Sequence, residues 1–190
     1  MSVNLTLLDD LLSKAKRLGA SAADVTVTES DAFTAGTRLK EVESLKRSTE
    51  RRLGIRLFHG KRSATASTSD VRPKALQALL EGTWALAQHT AEDPASGLPE
   101  SAPQEPARPE GLLDAAIGKL TTEEKLEMAK ACETAALSGD PRLVNSEGAE
   151  CHTEVRRRLY ADSRGFRGEF SGSTISVSAS PVAKEGDKMQ

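Results

Sequence analysis

Residues 51–89 read RRLGIRLFHGKRSATASTSDVRPKALQALLEGTWALAQH. Leu53, Ile55 and Leu57 alternate with other residues, which is the two-residue period of a strand with one buried face. Gly60 suits the positive φ angle that a tight hairpin turn requires, and small and β-branched residues follow it as a partner strand. This stretch therefore predicts a β-hairpin.

A helix is predicted directly after the hairpin. Pro73 suits the first position of a helix, because the missing N–H would have no partner there. Leu76, Leu80 and Trp84 then recur at helical spacing on one face. We predict that this face packs on the hairpin and buries Trp84, the one tryptophan of the chain.

The composition excludes several classes of protein. A net charge of −2 with 28% charged residues indicates an ordinary solvated surface and not the basic face of a nucleic-acid-binding protein. No apolar run approaches the ~20 residues that a membrane span needs, and no secretory signal peptide is recognisable at the N-terminus. Two widely spaced cysteines give no disulfide framework. We expect a soluble, cytoplasmic protein without a nucleic-acid or membrane partner.

The first fifty residues predict a helix followed by strands. Leucines at helical spacing end at Gly19, which suits a left-handed helix cap. Residues 23–28 alternate as a half-buried strand. The pattern of residues 33–50 is open between a helix, favoured by apolar residues spaced by three, and an extended, bent strand of the same sheet.

The second half predicts another helix and further strands. Thr121 and Glu124 form a capping box that opens a helix. Its expected apolar stripe consists of Leu126, Met128, Ala129, Cys132 and Ala136. Period-two patterning predicts three strands after it, at residues 143–151, 153–162 and 172–183.

Proline content divides the chain. Five prolines between residues 91 and 110 indicate a linker, with Leu98 able to anchor it. We assign residues 1–92 to an N-terminal α+β subdomain, residues 93–119 to the Pro-rich linker, and residues 120–190 to a helix plus antiparallel strands. The predicted fold class is α+β, with amphipathic helices packed on antiparallel sheets.

Cys151 and His152 are the first candidates for metal binding, with Cys132 as a third ligand. Adjacent residues on a strand point to opposite faces, so Cys151 and His152 do not converge on one ion. Cys132 lies on the predicted apolar stripe, where a thiol behaves as a small hydrophobic group. His59 in a turn and His89 at a helix end are interpreted as structural.

Two further patterns suggest ligands but fit simpler roles. Gly165, Gly168 and Gly172 have the wrong spacing for a phosphate-binding loop and are interpreted as turn glycines. Residues 156–158 are three arginines in a strand, interpreted as a solvated face. The sequence contains no zinc-protease, nucleophile-elbow or Walker motif. We therefore predict no catalytic, cofactor-binding or metal-binding residue in this chain.

A set of short motifs is distributed over nearly the whole chain. They are TR at 37–38, EVE at 41–43, LGIRLF at 53–58, STSD at 67–70, ALA at 85–87, EDP at 92–94, GLP at 97–99, NSEG at 145–148 and GDKMQ at 186–190. In order and spacing they resemble the N-terminal domain of the TldD/PmbA metallopeptidase family, in its PmbA (TldE) branch. The resemblance favours the strand for residues 33–50.

The resemblance implies a role within a larger enzyme. Family members are longer, so the chain resembles a portion that ends before their C-terminal domain. In the family, zinc is held on the TldD-type subunit by an H-E-x-x-x-H helix and a distant cysteine, and this sequence contains no His-Glu pair. The implied function is a non-catalytic scaffold or partner portion of a zinc peptidase in cytoplasmic proteolysis or peptide maturation.

The implied partners are a TldD-type subunit or a homologous protomer, together with the peptide substrate of the complex. We expect the chain alone to hold no zinc and to be inactive, although it resembles a hydrolase family. The alternative is a stand-alone module that binds a peptide or protein through an exposed strand edge.

Overall fold

The computed structural model describes residues 3–100, 111–186 and 188–189. Three α-helices, one short 3₁₀ helix and six strands follow one another there. In chain order they are α1 (Leu5–Leu18), β1 (Ala22–Arg38), β2 (Glu41–His59), β3 (Arg62–Thr68), α2 (Pro73–His89), the 3₁₀ helix (Ile117–Lys119), α3 (Thr122–Leu137), β4 (Leu143–Asp162), β5 (Arg167–Glu185) and β6 (Lys188–Met189).

The six strands form a sheet in the order β3-β2-β1-β4-β5-β6. β3 pairs antiparallel with the second half of β2, from Leu53 opposite Thr68 to His59 opposite Arg62. Gly60 has φ 62° in the connecting turn, as a tight hairpin requires. The predicted hairpin and the α+β fold class are both confirmed.

Contacts divide the chain into two compact units, each built from three separate segments. Unit 1 consists of Met1–Glu29, Glu50–Pro109 and Arg157–Phe170. Unit 2 consists of Ser30–Thr49, Glu110–Arg156 and Ser171–Gln190. The contiguous boundaries 1–92, 93–119 and 120–190 stay a prediction about domain organisation.

Unit 1 contains the main apolar core. Leu8 of α1, Leu57 of β2, Leu80 of α2 and Leu159 of β4 are at most 1% exposed and belong to one hydrophobic cluster. α1 ends at Gly19, whose φ of 101° places it in the left-handed region that glycine tolerates. Helices packed over one sheet face account for this core.

Trp84 lies at the margin of that core and is not fully buried, so the prediction of burial is wrong in degree. Its exposure is intermediate, and its ring meets the edge of the His59 ring at a centroid distance of 5.4 Å. The buried positions of α2 are Leu76, Leu80, Thr83 and Ala87. Trp84 lies beside this buried stripe, and part of its indole ring is therefore exposed to solvent.

Three strand predictions need correction. Residues 33–50 are extended as predicted, but they form two strands joined by a turn at Leu39 and Lys40, and not one bent strand. Residues 143–162 form the single strand β4, because Cys151–Thr153 continues the extended backbone without a break. Gly168 and Gly172 lie within β5, so the interpretation as turn glycines is wrong for these two.

The buried face of α3 also differs from the predicted stripe. The capping box of Thr121 and Glu124 is present, but the buried residues are Lys125, Ala129 and Glu133. This face is offset by about one residue from the predicted one, and two of its three members are charged. Met128 is exposed instead.

Residues 92–99 are fixed to unit 1 before the prolines at 103, 106 and 109, which lie outside the described residues. The Asp93 N–H donates to the Lys61 carbonyl over 3.0 Å, and the Lys61 ammonium donates to the Ser96 carbonyl over 3.2 Å. Leu98 is buried. The predicted anchoring role of Leu98 is confirmed.

Candidate functional site

The side chain of Glu133 holds the turn between β1 and β2. Its Oε1 accepts a hydrogen bond from the Leu39 N–H over 2.9 Å, and its Oε2 accepts one from the Lys40 N–H over 3.0 Å. Glu133 is 1% exposed. A buried carboxylate on α3 thus reaches across to the tip of a hairpin, and we call this arrangement the hairpin clamp.

The clamped turn is strained. Leu39 has φ 49° and Lys40 has φ 70°, the left-handed conformation of a type I′ turn that asparagine and glycine normally occupy. For other residues, including Leu39 and Lys40, this left-handed conformation is sterically unfavourable. Because Glu133 binds both N–H groups of this turn, its two charge-assisted hydrogen bonds offset that cost.

The segment around Ser146 completes the hairpin clamp. Ser146 is fully buried and its side chain hydrogen-bonds Glu133, while its Oγ accepts from the Gly148 N–H over 2.9 Å. The Arg38 Nε donates to the Ser146 carbonyl over 3.0 Å. Gly148 has φ 121°, and a Cβ there would approach the Thr37 carbonyl oxygen to 3.0 Å. Glycine is therefore required at position 148.

The environment of Glu133 favours its ionised form. Burial raises its pKa, but hydrogen bonds from Ser146, Lys40 and Leu39, with the charge of Arg38, outweigh burial and lower the pKa below the ordinary 4.5. A carboxylate whose lone pairs are occupied by fixed donors does not take a proton from a substrate. The geometry indicates that Glu133 fixes the turn and is not a general base.

The turn presents apolar side chains to solvent. Leu39 is 52% exposed and Val42 is 50% exposed. Held by the buried Glu133, these side chains project from a fixed backbone. Exposed apolar side chains on a fixed turn are suited to contact with another protein surface and carry no group that could take part in catalysis.

The cysteines and histidines are not brought together. Cys151 is fully buried and packs with Ala129 and Ala149, and burial raises the pKa of its thiol. The neighbouring His152 bonds the Thr34 hydroxyl over 3.0 Å. Both cysteines are free.

Members of the glycine and arginine patterns have structural roles. Gly165 turns the chain between β4 and β5 with φ 103°. Arg157 donates to Glu169 over 2.7 Å and to Glu29 over 3.2 Å. Arg156 and Arg158 are exposed, whereas Arg157 is half-buried and joins an ion-pair network.

A cavity of about 540 Å³ in unit 1 is lined by Asp9, Ser13, Lys16, Ser21 and Arg167, among others. The Arg167 guanidinium already donates to the Asp9 carboxylate over 2.6 Å and to the Phe166 carbonyl over 2.6 Å. These hydrogen bonds fix the position of the Arg167 guanidinium within the chain.

Within residues 3–100 and 111–186, no three His, Cys, Asp or Glu side chains group closely enough to hold a metal ion. Among the helices in the described part of the chain, none has the length and apolarity to cross a bilayer.

Glu133 also makes stability depend on pH. Its pKa is lower in the folded chain than in the unfolded chain, so its contribution is present above about pH 4.5 and is lost as the pH falls through the folded-state pKa. We expect the urea midpoint to fall more between pH 7 and about pH 3 in the wild type than in Glu133→Gln. Circular dichroism measures both midpoints.

Glu127→Gln is the matched control, because Glu127 lies on the same helix with a side chain that is 73% exposed. Its pH profile should follow the wild type. A Glu133→Gln profile parallel to the wild type would show that the clamp does not depend on charge.

Known protein families account for most of the chain. The model of the PmbA/TldA metallopeptidase domain 1 matches residues 23–87, and that of the PmbA/TldA metallopeptidase central domain matches residues 116–190. The chain belongs to the PmbA/TldD metallopeptidase family. The hairpin clamp joins the two matched regions in sequence, since Leu39 lies in the first and Glu133 in the second.

Two curated relatives of the PmbA/TldD family have similar sequences. The metalloprotease PmbA homolog of Haemophilus influenzae is 30% identical over 176 residues, which is 93% of this chain and 39% of that protein. Metalloprotease PmbA of Escherichia coli O157:H7 is 26% identical over 97% of this chain and 41% of its own length. The chain thus spans about two fifths of the relatives it matches.

Solved structures agree on the fold. A candidate modulator of DNA gyrase from Bacteroides thetaiotaomicron superimposes with a TM-score of 0.85 at 24% identity, over 98% of this chain and 43% of that one. TldE from Thermococcus kodakarensis superimposes with a TM-score of 0.79 at 16% identity, over 96% and 40%. At these identities the likeness concerns the fold alone.

Proposed function

We propose that this chain is a non-catalytic scaffold and partner portion of a PmbA-type peptidase subunit that acts in the cytoplasm. The observation that carries the proposal is that its two matched regions are the family's domain 1 and central domain. In this proposal the zinc and the cleavage chemistry belong to a TldD-type partner subunit.

The residues that the structure describes do not fit a zinc site of their own. A catalytic zinc needs three converging ligands, and the described residues offer no such group. Cys151 is fully buried and packs with Ala129 and Ala149, which are not metal ligands.

The hairpin clamp supports a scaffold role. The buried Glu133 carboxylate holds a strained turn that exposes Leu39. This arrangement defines the shape of a surface and does not form a reaction centre. A preorganised surface loses less conformational entropy when a partner binds.

Metal analysis and a peptidase assay test this proposal. The purified chain, treated with a chelator and then given zinc, should retain much less than one equivalent and should not cleave unfolded peptides. Mixed with a TldD-type subunit, it should form a complex that cleaves them. One equivalent of tightly held zinc, lost in Cys132→Ser or Cys151→Ala, would overturn the proposal.

A second candidate function rests on the edge of β5. Thr174 to Ser178 are exposed on both faces, and Ser173 already donates to the Leu112 carbonyl over 2.8 Å. An extended peptide can add to such an edge by backbone pairing. Peptide binding by the isolated chain, unaffected by a TldD-type subunit, would favour this stand-alone module.

A further inference from the structure

Residues 41–47 of β2 form an open edge of the sheet, which we call the β2 edge. The neighbours of β2 are β1 and β3, and β3 pairs only with residues 53–59. Among the described residues, no strand therefore lies along the other side of the β2 edge. Six of its seven residues are exposed and Ser44 is half-buried, so most of its side chains remain accessible to solvent.

The charges of the β2 edge are ordered along the strand. Glu41 and Glu43 come first, and Lys46 and Arg47 come last. Leu45, which is 51% exposed, lies between the two groups. A strand that is acidic at one end and basic at the other is complementary to an antiparallel copy of itself.

One register satisfies both the charges and the apolar residue. Pairing centred on Leu45 places Glu43 of each copy opposite Arg47 of the other, and the two Leu45 side chains opposite each other. Directly opposed residues of antiparallel strands point to the same face with Cβ atoms about 5 Å apart. Two ion pairs would then flank an apolar contact that removes Leu45 from water.

We propose that the β2 edge is a self-recognition surface, which pairs antiparallel with the β2 edge of a second copy about a two-fold axis at Leu45. This inference is independent of the proposed partner role and of zinc. Arg47 is already oriented by Asp31, with an Nη2–Oδ2 distance of 2.7 Å, and its side chain stays 67% exposed. It is therefore positioned and still accessible.

The charges also select against other pairings. Charged residues on an edge strand normally deter association with other strands. In a parallel, in-register pair each glutamate would face a glutamate, and each basic residue a basic one. Because a single strand pair is small compared with the ~1,000 Å² of a stable interface, we expect an association that depends on protein concentration.

Disulfide trapping tests the register. In a Cys132→Ser background, Leu45→Cys is compared with Leu86→Cys, since Leu86 of α2 is similarly exposed at 58%. Diamide takes two electrons and two protons from a pair of thiols, which join as a disulfide. At about 0.1 mM protein, Leu45→Cys dimers should form at least about tenfold faster, because pairing raises the effective concentration to the millimolar range. Equal rates would overturn the proposal.

A charge exchange tests complementarity. Glu43→Lys alone and Arg47→Glu alone should each weaken self-association in sedimentation experiments, and the double variant should recover it. Loss of the exposed Asp31 pair in Arg47→Glu has a small effect on stability, and urea midpoints check that each variant is folded. A wild type that stays monomeric, or single variants that associate as strongly as the wild type, would contradict the proposal. A double variant weaker than both single variants would contradict it equally.

Discussion

Replacing Glu133 by alanine is expected to lower the free energy of unfolding by about 3–5 kcal/mol. The substitution leaves the N–H groups of Leu39 and Lys40 without their acceptor, and a hydrogen bond to a charged group contributes about 1.5–3 kcal/mol. The strained turn then lacks its support. Urea denaturation followed by circular dichroism measures the change.

Glu127→Ala is the control for this experiment. Glu127 lies on the same helix, and its exposed carboxylate forms an ion pair with Lys130. We expect a change within about 0.5 kcal/mol. A loss of under about 1 kcal/mol in Glu133→Ala would show that the turn is stable without the carboxylate.

Leu57→Ala is the second substitution with a large expected effect. Leu57 is fully buried in unit 1, in the part of β2 that pairs with β3. Removing a buried leucine side chain costs its transfer free energy plus that of the cavity, about 3–4 kcal/mol in a tightly packed site. Thermal and urea unfolding both report the loss.

Leu86→Ala supplies the matched control, since it is the same substitution at a residue that is 58% exposed. We expect its free energy of unfolding to change by less than about 0.5 kcal/mol. If Leu57→Ala were no more destabilising than Leu86→Ala, the cluster of unit 1 would not be the stabilising core.

The sequence was sufficient to predict the hairpin of β2 and β3, the helix after it and the capping box of α3. These features follow from local rules: alternation gives Leu53 and Leu57 their buried face, and Pro73 and Thr121 have side chains that suit a helix start. Each signal lies within a few residues of the structure that it specifies.

The hairpin clamp could not be predicted in the same way. Leu39 and Lys40 are not turn-forming residues, so no local signal marks the turn. In the sequence, Glu133 cannot be distinguished from an ordinary solvent-exposed glutamate. The N–H groups that bind it belong to Leu39 and Lys40, far away along the chain. The exposure of Trp84 could not be predicted from local patterns either. Helical spacing predicts which face of α2 carries Trp84, but not how far the buried core extends along that face.

The distance between Glu133 and Leu39 along the chain has a consequence for folding. The two residues are 94 positions apart, and the turn that they stabilise is unfavourable by itself. A glycine-containing hairpin closes locally within microseconds, whereas this one gains its support only after α3 has been made and has docked. The tip of the β1–β2 hairpin should therefore order late, and the slow step should be the long-range closure that brings Glu133 to it.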